Sequence, residues 1–402
     1  MDFALDRLPR VRFGAGAIAE LPALAAAFGS RALLITGAGA LQRSAHWAPL
    51  CAGLAAAGID WCHERIADEP SPQRIDAIVA DHRGAGIELV IGIGGGSALD
   101  AAKAVAGLLP LGEPVTAYLE GVGDGRVYRG PALPLIAAPT TAGTGSEATK
   151  NAVITHRGAD GFKKSFRDAR LLPALALVDP LLLRDCPRPQ LAANAMDALT
   201  QLIEARTSLR ANPPCDALAE SGLAAARRGI AALVAAARAQ PGDGSPDEGP
   251  LAADRLADLA YASLLSGVCL AQVGLGAVHG LASPLGAFFP IPHGVVCGAL
   301  LAAATRANLA ALGRREPHNP ALAGYAAVAR LLGDRDGDAA REALPARLED
   351  WVAALRIPRL GDYAIAAADF PRIIAASRGG SMRSNPLTLD DAELAAILAA
   401  SI

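Results

Sequence analysis

Residues 86–105 carry the clearest structural signal in the chain, and they read Gly-Ile-Glu-Leu-Val-Ile-Gly-Ile-Gly-Gly-Gly-Ser-Ala-Leu-Asp-Ala-Ala-Lys-Ala-Val. The apolar run that ends at Ile93 is typical of a buried parallel strand. The turn Gly94–Ser97 follows it directly and leads into an alanine-rich helix. Glycines let the backbone approach a pyrophosphate, and the N–H groups at a helix start favour its negative charge. The pattern predicts a phosphate-binding turn, and a plain tight turn is the alternative interpretation.

The rest of the first half repeats this alternation of strand and helix. Short apolar runs that predict buried strands lie at residues 31–36, 133–138 and 174–178, and helical patterns lie at 50–58 and 72–85. Strands that alternate with helices predict a parallel, doubly wound sheet. We therefore predict an α/β, Rossmann-like domain over residues 1–180.

The second half has a different pattern. It contains long Ala/Leu-rich segments and almost no β-branched runs, which predicts helices at residues 190–209, 215–238, 251–270, 292–311, 320–332 and 341–355. We therefore predict an all-α domain over residues 181–402. Residues 240–250 are rich in Gly, Pro and Asp, which favours a disordered surface loop between two of these helices.

Composition limits the class of function. The 402 residues include 37 Lys and Arg against 40 Asp and Glu, and this balance argues against a nucleic-acid partner. The six cysteines are scattered and include no CxxC pair, and the N-terminal sequence lacks the apolar segment of a signal peptide. Both observations predict a cytoplasmic protein. Leu259–Val278 carries no charge over a membrane-spanning length, but its Gln272, serines and glycines favour a buried helix. We therefore expect no membrane partner.

A second polar loop follows the predicted strand at 133–138. It reads Pro-Thr-Thr-Ala-Gly-Thr-Gly-Ser-Glu over residues 139–147, with five hydrogen-bonding side chains and two glycines. Open α/β sheets bind ligands at the carboxyl ends of their strands. This loop is therefore a second candidate for cofactor binding, against the alternative of an ordinary hydrophilic loop.

The helical half contains a spacing that is typical of metal ligands. Asp197 and Gln201 lie four residues apart and share a helix face. His279 and His293 flank the segment 278–294. A carboxylate and two imidazoles suit Zn²⁺ or Fe²⁺, although distant residues of these types also occur in purely structural roles.

Together these motifs resemble the iron-containing (group III) alcohol dehydrogenase family, which includes glycerol dehydrogenase and maleylacetate reductase and is related in fold to dehydroquinate synthase. The resemblance covers nearly the whole chain. Its motifs, in order, are Arg12–Gly16, Gly94–Asp100, Pro139–Glu147, Asn151–Thr155, Val178–Pro180, Met196–Thr200, Val278–Gly294 and Asn385-Pro386. It implies hydride transfer between NAD or NADP and a small alcohol, aldehyde or ketone, in a cleft between the two domains. It also implies a homodimer or larger homo-oligomer.

The resemblance also implies roles for individual residues. The residues that match the family's cofactor site are Gly94, Gly95, Gly96, Ser97, Asp100, Thr140, Thr141, Thr144 and Lys163. The residues that match catalytic metal ligands for Fe²⁺ or Zn²⁺ are Asp197, His279 and His293, with Gln201 at the fourth ligand position. The implied metal acts as a Lewis acid on the substrate oxygen.

Three positions depart from the family pattern. Gln201 stands where the family has a third histidine ligand, and Ser283 stands where a further histidine usually lies near the substrate. Gly37 stands where NAD-preferring members often carry an aspartate that repels a 2′-phosphate. NADP is therefore admissible as the cofactor. Arg43, six residues later, is a candidate to contact that phosphate. Three readings stay open: a metal-assisted dehydrogenase, a metal-independent reductase like maleylacetate reductase, and a nucleotide-binding member without turnover.

Overall fold

A computed structural model of the chain describes residues 2–158, 161–239, 251–333 and 338–402. These residues form two compact units, one over Asp6–Cys186 and one over Pro187–Ile402 together with the N-terminal residues as far as Leu5. The predicted boundary after residue 180 lies just before this division. The loop predicted at residues 240–250 lies outside the described residues.

The first unit contains a six-stranded parallel sheet and an antiparallel pair. The strands are β1 (Arg10–Phe13), β2 (Arg31–Thr36), β3 (Asp60–Arg65), β4 (Leu89–Gly94), β5 (Leu135–Pro139), β6 (Asn151–His156), β7 (Phe162–Arg167) and β8 (Leu175–Val178). The parallel sheet has the order β1-β8-β5-β4-β2-β3, and β6 pairs with β7. The predicted doubly wound sheet is thus present, with β4 near its centre.

Helices cover both faces of this sheet. They are α1 (Leu21–Ala25), α2 (Ala40–Arg43), α3 (Trp47–Ala56), α4 (Pro72–His82) and α5 (Gly96–Leu108). Every residue of β4 is buried, and its alternate side chains belong to two separate apolar clusters, with Val90 in one and Ile91 in the other. A central strand that is buried on both faces explains why its sequence is continuously apolar.

Four strands were not predicted from the sequence, for two reasons. The edge strands β1 and β3 read Arg-Val-Arg-Phe and Asp-Trp-Cys-His-Glu-Arg, so they lack the continuous apolar run of a central strand. The hairpin strands β6 and β7 read Asn-Ala-Val-Ile-Thr-His and Phe-Lys-Lys-Ser-Phe-Arg, so neither shows the regular polar–apolar alternation that marks a half-buried strand.

The second unit is helical throughout its described residues. Its helices are α6 (Arg188–Arg206), α7 (Pro213–Ala239), α8 (Ala253–Val273), α9 (Ala277–Phe288), α10 (His293–Arg315), α11 (Ala321–Leu331), α12 (Asp338–Ala354), α13 (Phe370–Ser377) and α14 (Asp391–Ser401). This confirms the predicted all-α class. The charge-free segment 259–278 is not one helix, because α8 ends at Gly274, whose φ of 73° lies in the left-handed region.

Two of these helices, α8 and α10, are long and apolar enough to cross a membrane by length and composition. In each, 67% of the most apolar 18-residue window is buried inside the protein. Such burial is typical of the core helices of a soluble protein, as the sequence predicted for the region around α8.

Candidate functional site

Three helices of the second unit bring the predicted metal ligands together. Asp197 lies in the middle of α6 and is only 1% exposed. His279 is in the first turn of α9, and His293 is the first residue of α10. The Nε2 atoms of His279 and His293 lie 3.2 Å and 3.9 Å from Asp197 Oδ1. The structure therefore brings together three side chains that are far apart in sequence.

Cys297 completes this cluster, and the sequence analysis did not identify it. Its Sγ atom lies 3.6 Å from His279 Nε2 and 3.7 Å from His293 Nε2. The donor atoms of Asp197, His279, His293 and Cys297 all lie within 4.8 Å of one another. Cys297 follows His293 by four residues in α10, so the two side chains share a helix face. That spacing was the signal by which sequence reasoning could have found it.

Gln201 borders the cluster. Its Nε2 donates to Asp197 Oδ1 over 3.2 Å, and its Oε1 accepts from the Ser266 hydroxyl over 2.9 Å. An ionised carboxylate only accepts hydrogen bonds, so Asp197 selects the orientation in which the amide nitrogen faces it. In this orientation Gln201 contacts Asp197, which is one of the four donors.

Glu204 fixes the orientation of His279. Its Oε2 lies 2.6 Å from His279 Nδ1, and its Oε1 accepts from the backbone N–H of Val278 over 2.7 Å. A carboxylate on Nδ1 keeps a ring proton there, so Nε2 is the nitrogen that is available to a metal once its own proton is displaced. Glu204 lies seven residues after Asp197, on the same face of α6, and it too was missed from the sequence.

Asn385 holds the start of α9 from a distant part of the chain. Its Oδ1 accepts from the backbone N–H of Ala277 over 3.0 Å, while its Nδ2 donates to Asn308 Oδ1 and to the Leu387 carbonyl, each over 2.8 Å. An amide that accepts a bond from the first turn of a helix satisfies one of its unpaired donors. This position accounts structurally for the Asn385-Pro386 motif.

The titration behaviour of the cluster reflects its burial and its charges. Burial opposes ionisation of Asp197, but the charges of His293 and His279 outweigh it and hold the pKa of that carboxyl well below its usual value. Burial alone would lower the pKa of His279, but Cys297, Glu204 and Asp197 raise it well above its usual value. Burial raises the pKa of the Cys297 thiol to about 12. His279 and the Cys297 thiol therefore hold protons that a divalent cation displaces when it binds, whereas Asp197 is already ionised.

The donor geometry fits a divalent metal. A tetrahedral ion bound at about 2.0–2.1 Å by nitrogen or oxygen and at about 2.3 Å by sulfur separates its donors by roughly 3.3–3.6 Å. Four separations in the cluster lie close to this range. Asp197 Oδ1 is 3.2 Å and 3.9 Å from the two imidazole Nε2 atoms, and Cys297 Sγ is 3.6 Å and 3.7 Å from them. The site is thus able to hold the Lewis acid that the resemblance implies.

The glycine turn and the polar loop of the first unit lie against each other. The backbone N–H of Thr140 donates to the Gly94 carbonyl over 2.9 Å. A Cβ atom built on Gly96 would lie 2.8 Å from Thr144 Cγ2, and one built on Gly95 would lie 3.3 Å from Thr141 Cγ2. The turn and the threonines predicted to bind the cofactor are therefore neighbours at the start of α5.

Two other predicted cofactor residues take part in internal contacts. Asp100 Oδ1 accepts from the Ser146 hydroxyl over 2.6 Å and lies 3.0 Å from the Nζ atom of the fully buried Lys103. Lys163 lies in β7, and its Nζ atom donates to Glu69 Oε1 over 2.6 Å. Asp100 thus joins α5 to the polar loop. The predicted roles of both residues toward the cofactor stay predictions.

Ser97 and Ser283 take the positions that the sequence implies. Ser97 lies in the first turn of α5, next to the glycines. Ser283 lies in α9, one helical turn after His279, and is partly buried. A serine hydroxyl does not titrate near neutral pH, so this position cannot supply the proton relay that the resemblance assigns to a histidine there.

Comparison with known proteins agrees with this architecture. The model of the iron-containing alcohol dehydrogenase family matches residues 9–180, and that of the C-terminal domain of the Fe-containing alcohol dehydrogenase family matches residues 191–402. The 1,3-propanediol dehydrogenase of Klebsiella pneumoniae is 31% identical over 386 residues, which cover 92% of this chain and 90% of that protein.

Solved structures give the same result. The crystal structure of a 1,3-propanediol oxidoreductase matches with a TM-score of 0.84 and 28% identity over 100% of both chains. The sulfoacetaldehyde reductase of Bifidobacterium kashiwanohense, solved in complex with NAD⁺, matches with a TM-score of 0.81 and 25% identity over 100% of this chain and 99% of that one. The chain belongs to the iron-containing alcohol dehydrogenase family.

Proposed function

We propose that this family member is an NAD(P)-dependent oxidoreductase that interconverts a small alcohol and its aldehyde or ketone by hydride transfer. The observation that carries the proposal is the convergence of Asp197, His279 and His293, whose donor atoms meet at separations that suit a metal ion. The glycine turn at the start of α5 supplies a second, independent feature. Both features are expected of a metal-assisted dehydrogenase.

Each part of the chain has a defined task in this mechanism. The turn Gly94–Ser97 binds the cofactor pyrophosphate through backbone N–H groups at the start of α5. Asp197 supplies negative charge to the metal, and Glu204 holds His279 in the tautomer whose Nε2 is available as a ligand. The metal, when bound, polarises the substrate oxygen as a Lewis acid.

The activity is tested by oxidation of NADH and NADPH with a panel of short aldehydes, including 3-hydroxypropanal because relatives are named for 1,3-propanediol. We expect turnover that falls after treatment with a chelator and returns when Fe²⁺ or Zn²⁺ is added. Turnover that a chelator leaves unchanged would favour the metal-independent reductase. Cofactor binding without turnover across the panel would favour the non-catalytic alternative.

We further propose that NADP(H) is accepted at least as well as NAD(H). Gly37 directly follows β2, and a Cβ atom built on it meets nothing within 4 Å, so this position has neither a carboxylate nor a steric block. Arg43 lies over the same turn, because its Nη1 is 2.9 Å from a Cβ atom built on Gly39. A guanidinium beside an open turn suits a 2′-phosphate.

Substitution of Gly37 by aspartate tests this preference. We expect kcat/KM for NADPH to fall about 100-fold, because the new carboxylate repels the 2′-phosphate, while kcat/KM for NADH changes little. The matched control is Gly37→Asn, which adds the same volume without charge and should retain most NADPH activity. If the ratio of kcat/KM for NADPH to kcat/KM for NADH is the same in Gly37→Asp as in the wild type, the proposal is wrong.

We also propose a cytoplasmic homo-oligomer. The six cysteines, all within the described part of the chain, form no disulfide there, which suits a reducing compartment. Strand β1 lies at the edge of the parallel sheet, and Leu8 and Val11 beside and within it are 46% and 43% exposed. The outer edge of such a strand presents unpaired backbone N–H and C=O groups, with which a strand of a second copy can pair. Light scattering of the purified protein measures the assembly.

A further inference from the structure

We propose that Cys297 takes the place of the missing histidine as the fourth metal ligand, and that its thiolate makes this centre a Zn²⁺ site rather than an Fe²⁺ site. The ligand set is then Asp197, His279, His293 and Cys297, and catalysis requires that the ion expand to five-coordination when the substrate binds. The inference rests on the metal-assisted function proposed above, and it deepens that function by naming the fourth ligand and the metal.

The geometry of the sulfur atom is the first argument. Cys297 is completely buried, and its Sγ lies at nearly equal distances, 3.6 Å and 3.7 Å, from the Nε2 atoms of the two histidines. A buried cysteine that serves only as a small apolar residue packs its sulfur against carbon. Here the sulfur faces two imidazole nitrogens at the separation that a shared tetrahedral ion requires, about 3.6 Å between sulfur and nitrogen donors.

The orientation of Gln201 is the second argument. Its amide nitrogen faces Asp197 Oδ1 at 3.2 Å, and its amide oxygen faces the Ser266 hydroxyl at 2.9 Å. An amide nitrogen carries no lone pair for a metal, so Gln201 in this orientation is not a ligand. It acts instead as a positioning residue for Asp197, comparable to the outer partners that orient metal-bound carboxylates. The fourth position is therefore open to Cys297.

The position of Cys297 in the sequence is the third argument. His293 and Cys297 occupy consecutive turns on one face of α10, so a single rigid helix presents both donors. Asp197 comes from α6 and His279 from α9, which gives three elements around one point. One soft thiolate, two imidazoles and one carboxylate form a donor set that favours Zn²⁺ over Fe²⁺, and the helices hold these donors rigidly.

The first experiment measures the metal itself in the wild-type protein. The protein is loaded with Zn²⁺ and its zinc X-ray absorption is recorded without substrate or nicotinamide. We expect one sulfur neighbour at about 2.3 Å and three nitrogen or oxygen neighbours at about 2.0–2.1 Å. A zinc spectrum without a sulfur neighbour overturns the inference. This measurement needs no variant, so misfolding of a mutant does not affect it.

The second experiment compares three variants after loading with Co²⁺. We expect the near-ultraviolet charge-transfer band of a cobalt thiolate in the wild type, in Gln201→Leu and in Cys269→Ala, and its loss in Cys297→Ala. Cys269 is the matched control, because it is also fully buried in the helical unit and lies outside the cluster. Zn²⁺ affinity should fall about 100-fold or more in Cys297→Ala and far less in the control, because only the former loses a direct ligand.

Two results would contradict the assignment. If Gln201→Leu loses the metal while Cys297→Ala retains it, the glutamine is the ligand. If anaerobic competition between equal concentrations of Fe²⁺ and Zn²⁺ leaves Fe²⁺ in the wild-type protein, the metal assignment is wrong. Neither readout depends on turnover. An inactive protein with a Zn–S contact would therefore refute the proposed function alone, and an active protein without this contact would refute only the inference.

Discussion

Replacing Asp197 with asparagine is expected to lower kcat by about 1,000-fold or more and to leave the purified protein with little bound metal. The substitution keeps the shape of the side chain but removes the negative charge that lies between His279 and His293. Loss of a Lewis acid costs several kcal/mol of transition-state stabilisation, and each 1.36 kcal/mol is tenfold in rate. Steady-state kinetics and elemental analysis of the same preparation measure both effects.

The neighbouring residue provides the control for this experiment. Met196 precedes Asp197 in α6 and is completely buried, but its side chain is apolar. Met196→Leu conserves volume and should cost less than about 1.5 kcal/mol of stability, with near-normal metal content and turnover. If Asp197→Asn retains both metal and rate, the cluster is not the catalytic centre, and the metal-independent reading gains support.

The second large effect is expected from Gly95→Asp in the phosphate-binding turn. Gly95 is the N-cap of α5, and its φ of −74° and ψ of −177° are accessible to any residue. Aspartate is a favourable N-cap, and this offsets the close approach of its Cβ to Thr141, so the free protein should be about as stable as the wild type. Yet a carboxylate about 5 Å from the pyrophosphate costs roughly 3 kcal/mol at an effective dielectric constant near 20, which weakens cofactor binding about 100-fold.

The comparison with Gly95→Asn separates charge from size. Both side chains approach Thr141, which lies 3.3 Å from a Cβ atom built on Gly95, so any steric effect is common to both variants. Titration with NADH and NADPH measures cofactor affinity, and thermal denaturation measures stability. Equal losses of affinity in the two variants would indicate a steric cause. Unchanged affinity in Gly95→Asp would show that the pyrophosphate binds elsewhere.

The sequence predicted the central elements of the fold more accurately than its edges. Strand β4 and the helix after it were predicted because burial on both faces forces a continuous apolar run. The edge strand β3 carries Asp, His, Glu and Arg, so its sequence resembles a loop. Helix α9 was missed because Pro284 lies inside it and because the predicted buried helix extended across Gly274 to Val278.

The candidate site shows the same division. Asp197, His279 and His293 stand in motifs that identify them. Glu204 and Cys297 do not, and they are recognised only from helical spacing. Glu204 follows Asp197 by seven residues in α6, and Cys297 follows His293 by four residues in α10. Helical spacing predicts that two side chains share a face, but it does not predict which face meets another helix. Only the folded structure shows that both faces converge on one point.

The support of α9 by Glu204 and Asn385 couples metal binding to the folding of the helical unit. His279 is held by α6 through Glu204, and the first turn of its helix is held by Asn385, more than 100 residues further along the chain. An ion that binds only when these segments are assembled stabilises the folded state by RT ln(1 + [metal]/Kd). The melting temperature of the protein therefore reports how much of it has metal bound. Substitutions in the C-terminal segment around Asn385 should lower the metal affinity, although this segment supplies no ligand.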